Sequence, residues 1–138
     1  MQQNTKFPST EAEFSRQREL FSRGQRNPLR GYVAAIDGLA LRIQRPRVTD
    51  VPNPMAYWTR KGCIALNVQA AVGADYKILF FSAVTAGSCL DSTALAVSGM
   101  AAHLEANDSM PDGFWVAGDD AYVAGCRMLT PWPGRNLP

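Results

Sequence analysis

The chain has 138 residues, 46% of them hydrophobic and 19% charged, and a net charge of +2. That length carries one core rather than two, and the composition is that of a globular domain, not of a disordered or low-complexity segment. No apolar run reaches the length of a membrane span, and residues 1–17 lack the apolar stretch of a secretory signal.

Cys63, Cys89 and Cys126 are odd in number and widely spaced, which suits neither a disulfide framework nor a paired-cysteine zinc site. A reducing, intracellular setting is expected. His103 is the only histidine, so multi-histidine metal centres are excluded, and it reads as a helix-face residue. Residues 1–61 hold 11 Lys/Arg against 5 Asp/Glu, whereas residues 62–138 hold 3 against 7. A basic first half facing a polyanion and an acidic second half that binds cations would explain the asymmetry; a solvated basic helix and loop would also produce it.

In chain order, residues 1–9 are polar and expected to be disordered. Thr10 and Glu13 match a capping box, and Phe14, Leu20 and Phe21 give a partial apolar stripe, predicting a basic helix that ends by Gly24 and Pro28. Gly31–Asp37 reads as a strand. Asp37-Gly38 between alternating apolar residues is a strong hairpin signal, so Leu39–Gln44 is expected to return beyond a turn. The same acid at the end of an apolar strand also reads as a catalytic carboxylate, because a charge there needs water, a hydrogen bond or a cation to offset it.

Pro46, Pro52 and Pro54 predict a loop. Tyr57 and Trp58 beside Arg60 and Lys61 can pack on a DNA backbone, or can be a snorkelling cluster at a strand start. Cys63–Val72 alternates cleanly. Asn67 and Gln69 fall on one face, which would be the floor of a site or an exposed polar face. Lys77–Val84 is a third strand. Gly87 to Ser92 leads into one helix with Leu90, Ala94, Val97, Ala101 and Leu104 as its buried stripe, weakened at Gly99; Asp91 is its natural N-cap. A turn over Asn107–Gly113 precedes a fourth strand, Phe114–Ala117. Leu129–Pro133 reads as extended loop.

Asp37 ends the first strand and Asp119 ends the fourth. If those strands are neighbours, both acids emerge at one edge. Carboxylate oxygens with water are what Mg²⁺ or Mn²⁺ prefer, and two such ions can drive phosphodiester chemistry without histidine or cysteine.

Five segments in order carry a resemblance: GYVAAIDGLALRI, P-x-x-YWTRKGCIALNVQA, GSCLDS, GDDAY and MLTPW. Spanning about residues 28–133, they resemble the catalytic domain of PIF/Harbinger-type DDE transposases, the DDE superfamily endonucleases. The resemblance implies an α/β fold like ribonuclease H, a mixed sheet flanked by helices, with residues 1–28 as a lead-in and 29–138 as a partial domain. It implies metal-dependent cleavage and strand transfer of DNA.

On this resemblance Asp37 and Asp119 match catalytic acids, and Asp37, Asp91 and Asp119 match metal ligands for Mg²⁺ or Mn²⁺. Asp120 sits where the motif is loose. Asn67, Gln69, Ser88, Ser92 and Tyr122 are supporting residues. Arg42, Arg45, Arg47, Arg60 and Lys61 make the DNA surface. A nuclear location and an accessory DNA-binding protein are implied as well, with no membrane.

Two departures stand out. Leu90 replaces a histidine common among relatives. The family's final Glu, on a helix beyond the Leu-Thr-Pro motif, has no match in this stretch, and Glu105 lies in the wrong helix. The chain is therefore expected to be a C-terminally truncated domain. The competing expectation is a non-catalytic, domesticated DNA-binding or interaction protein with a transposase fold.

Overall fold

The computed structural model describes residues 5–26, 30–106 and 108–131. Helix α1 (Glu11–Ser22) is followed by strands β1 (Tyr32–Arg42), β2 (Ala65–Val72) and β3 (Ile78–Ala86). Helices α2 (Asp91–Val97) and α3 (Met100–Glu105) come next, then β4 (Trp115–Ala117) and β5 (Met128–Leu129). The five strands form one mixed sheet in the order β3-β2-β1-β4-β5. β1 pairs antiparallel with β2 and parallel with β4, so the first and fourth strands are neighbours, the condition on which Asp37 and Asp119 emerge at one edge.

α1 starts as its sequence dictates. The Glu13 N–H donates to Thr10 Oγ1 at 3.3 Å, and the Thr10 N–H donates back to Glu13 Oε2 at 3.2 Å. Backbone N–H of Ser9, then Lys6, hold the Glu13 carboxyl down at about 2. The expected disorder of the lead-in is not found over residues 5–9. Phe7 stacks edge-on against both Phe14 and His103, and Pro8 is buried. Residues 1–4, Pro28, Asn107 and the end of the 129–133 loop lie outside the described residues.

Phe14 of α1, Ile36 of β1, Ala71 of β2, Leu95 of α2, Met100 and Leu104 of α3, and Val116 of β4 meet in one core. Burial of such side chains stabilises the fold by about 1.5–3 kcal/mol each.

Three expectations are corrected. Asp37-Gly38 is not a hairpin turn: β1 runs straight through it, with Asp37 opposite Ala70 and Gly38 opposite Gln69. Gly38 does not take the positive φ a turn would require. The single helix after Asp91 is two helices, because Gly99 adopts a left-handed φ of 81° and redirects the chain. Leu90, which lies outside α2 as its N-cap, and Val97 are exposed instead of on a buried stripe, whereas Ala94 and Leu104 are buried as expected. Finally, Met128–Leu129 is not loop but a short strand parallel to β4.

Candidate active site

β2 presents two amides on its covered face, as alternation predicted, and both are buried: Asn67 is 8% exposed and Gln69 is 1% exposed. Buried amides need partners, and they find them in a directed chain. The Tyr122 hydroxyl donates to Gln69 Oε1 at 2.7 Å. Gln69 Nε2 donates to Asn67 Oδ1 at 2.7 Å and to Asp91 Oδ1 at 3.0 Å. Asn67 Nδ2 donates to Asp91 Oδ1 and to the Cys89 carbonyl, each at 2.9 Å.

Asp91 is thus not the N-cap of α2. Leu90 occupies that position without a side-chain cap, and Asp91 is the first helical residue, its carboxylate turned onto β2. Gly38 makes this approach feasible. A Cβ there would collide with the Asp91 carboxylate and come within 3.0 Å of Gln69 Nε2. The glycine that read as a turn signal serves close approach inside a strand instead.

Each of the three acids is pinned through one oxygen. Asp37 Oδ1 accepts from the Gly38 N–H at 2.7 Å, and Asp119 Oδ1 accepts from the Ala121 N–H at 2.9 Å. Asp91 Oδ1 takes the two amides. The second oxygen of each makes no hydrogen bond among the described residues. Asp119 follows β4 at the same offset from Ala117 as Asp37 has from Ala35, and those alanines are register partners in the parallel pair. Burial pushes the Tyr122 hydroxyl above the ordinary tyrosine range. The charges of Asp91, Asp37 and Asp119 push it further, against the opposing hydrogen bond to Gln69.

Among the described residues no group of three His, Cys, Asp or Glu side chains stands close enough to hold one metal ion. Glu105 lies against Gly125. The donor set still suits a hard cation: free carboxylate oxygens are what Mg²⁺ takes, one or two at a time, with water and substrate phosphate completing the shell.

The remaining predicted residues are dispersed. Ser88 is exposed, with its N–H on the Ala56 carbonyl at 3.0 Å. Ser92 follows Asp91 on α2 and makes no side-chain hydrogen bond among the described residues. Arg47 is tied to Asp50 at 3.2 Å, Arg45 reaches Met55 Sδ at 3.6 Å, and Arg42 ends β1. Arg60 and Lys61 stand at the tip of a tight hairpin, whose Trp58 and Ile64 form a bridge. The two cations line a cavity with Asp91, Asn67 and Ser88. Sequence reasoning left Thr59 and Gly87 out of the site, although both line that cavity; Trp58, which it noted beside the two cations, lines it as well.

No helix among the described residues is long and apolar enough to cross a membrane. No curated protein and no solved structure matches the chain. Residues 36–137, from just before Asp37 to past Asp119, match the family described as DDE superfamily endonuclease. With one acid on β1, a second just beyond its parallel neighbour β4 and a third at the mouth of a helix, the chain belongs to the DDE superfamily endonucleases.

Proposed function

We propose that this stretch is the PIF/Harbinger-type catalytic region of a transposase-derived DNA endonuclease, with a ribonuclease H-like sheet and Asp37, Asp91 and Asp119 as ligands for Mg²⁺ or Mn²⁺. The observation that supports the reading is the common state of the three carboxylates, each fixed through Oδ1 with its second oxygen free. A bound divalent ion supplies activation of a water or hydroxyl and stabilisation of the leaving oxygen of a phosphodiester. Asn67 and Gln69 orient Asp91, Tyr122 orients Gln69, and Arg42, Arg45, Arg60 and Lys61 hold the DNA backbone. Arg47 joins them once DNA phosphate displaces Asp50, an exposed partner worth little. Nuclear DNA, reached with an accessory DNA-binding protein, is the substrate this reading implies.

Calorimetry with Mn²⁺ tests the site. Wild type should bind, and Asp37→Asn and Asp91→Asn should bind at least tenfold more weakly; equal affinity in all three would overturn the assignment. On this reading no residue is assigned as the family's final acid, so cleavage of a labelled duplex by residues 1–138 should be slow even with Mn²⁺, because positioning carries most of phosphoryl-transfer catalysis.

The second reading, a non-catalytic DNA-binding protein with the same fold, is favoured by the lack of any three-ligand group among the described residues. Salt-sensitive DNA binding without Mn²⁺ affinity would select it.

A further inference from the structure

Beside Asp91 lies a cavity of about 150 Å³ between two turns. One wall is the hairpin around Arg60 and Lys61. Its backbone is closed by the Thr59 N–H on the Cys63 carbonyl at 2.8 Å and the Gly62 N–H on the Thr59 carbonyl at 3.0 Å. Gly62 takes the left-handed φ of 74° that so tight a turn requires. The opposite wall is the turn after β3. The Gly87 N–H donates to the Ala65 carbonyl at 2.9 Å, and the Ser88 N–H to the Ala56 carbonyl at 3.0 Å. A Cβ on Gly87 would run into the Ala65 and Tyr57 carbonyls and the Thr59 methyl, so the two turns are held at backbone contact.

The lining is divided by chemistry. Trp58 is 50% exposed and Leu90 is 62% exposed, which gives an apolar side. Arg60 and Lys61 form the rim and have no carboxylate partner among the described residues. A flat apolar face beside two unpaired cations complements a nucleotide: the base on the indole, the phosphate on the rim. A base still stacked in a duplex has no face to offer an indole.

We propose that this cavity binds one unstacked nucleotide of the DNA strand, its base on Trp58 and its phosphate on Arg60 and Lys61, next to Asp91. The inference rests on the DNA endonuclease reading and adds to it a preference for unpaired DNA and the residues that read it.

The test uses the 138-residue chain without added divalent ion, so that no strand is cut. Its probes are a blunt duplex and the same duplex with a short central bulge carrying 2-aminopurine. Wild type should bind the bulged DNA roughly tenfold more tightly, in line with the stacking of one base on an aromatic side chain. It should also quench the 2-aminopurine. Trp58→Ala should lose both the preference and the quenching while keeping its affinity for blunt duplex, and Trp58→Phe should keep part of the preference. Arg60→Gln with Lys61→Gln should weaken both DNAs and lower the salt slope by about two.

Equal binding of the two DNAs by wild type overturns the inference and leaves the DNA reading standing. So does a Trp58→Ala protein that still prefers the bulge. Failure of wild type to bind either DNA overturns both. The wild-type comparison needs no variant, so a misfolded Trp58→Ala protein does not shield the proposal.

Discussion

The two faces of the sheet differ in a way that inverts the usual rule. On the face beneath α2 and α3, β2 buries two amides, Asn67 and Gln69, beside Ala71. On the other, Leu39, Leu41, Ile78 and Phe81 are between 45% and 62% exposed. Polar groups went inside because they had partners to meet: Asp91 from α2 and Tyr122 from the loop after β4. Apolar groups stayed outside because no described element covers them. The covered side of the sheet therefore adds a polar network to its apolar core, while the open side buries Val68 but leaves the exposed apolar residues as an adhesive surface.

Gln69→Leu puts that contrast to its hardest test. It strands the Tyr122 hydroxyl and Asn67 Oδ1 in the interior, so it should cost about 3 kcal/mol in urea denaturation. Leu41→Ser, on the open face of the same sheet, should stay within about 0.5 kcal/mol. Similar losses for the two would erase the distinction between the faces.

Gly38→Ala comes next. The added carbon meets the Asp91 carboxylate, and either the strand or the acid must yield, at about 2 kcal/mol. Mn²⁺ affinity should fall with it, because Asp91 is displaced. Unchanged affinity would mean that Asp91 moves freely and the amides do not position it.

Tyr122→Phe leaves Gln69 Oε1 without its donor and should cost about 1 kcal/mol at pH 8. Its pH dependence has a definite sign. The folded hydroxyl resists ionisation more than the unfolded one, so its contribution is complete below about pH 10 and is lost as pH rises through the folded value. Melting curves at pH 8 and pH 11 should show the gap between wild type and Tyr122→Phe closing.

The smallest effect belongs to Glu13→Gln, at the start of α1 and remote from both faces. The carboxyl is held down at about 2, so its stabilisation is present above its unfolded value of about 4.5 and is lost as pH falls through about 2. A slight drop in melting temperature at pH 7 should vanish at pH 2.

What was legible in the sequence depended on range. Alternation in β2 needs only neighbouring residues, so the shared face of Asn67 and Gln69 was readable, as was the capping box of Thr10 and Glu13. Asp37-Gly38 was misread because its local chemistry is that of a turn. What holds β1 straight is pairing with Ala70 and Gln69, and what requires a glycine there is Asp91, which arrives from another element. The same limit hid β5, two residues that form a strand only because β4 lies beside them. Gly99 was recognised as a weak point, but its left-handed φ, which divides the segment into two helices, was not legible from helical spacing alone.

Apart from the Asn67 amide's second bond, to the Cys89 carbonyl, the donors of the network run one way, from Tyr122 through Gln69 and Asn67 to a single oxygen of Asp91. For the fold, that oxygen is only an acceptor, and the carbonyl of an asparagine would accept the same bonds. On the proposed function, the charge serves the binding of a divalent ion. A lineage released from the need to cut DNA could therefore exchange Asp91 for asparagine by one nucleotide change, with the sheet, the amide chain and the cavity left in place. Folding guards Gly38 against drift, because any substitution there adds a carbon that meets the Asp91 carboxylate; it does not guard the negative charge of Asp91.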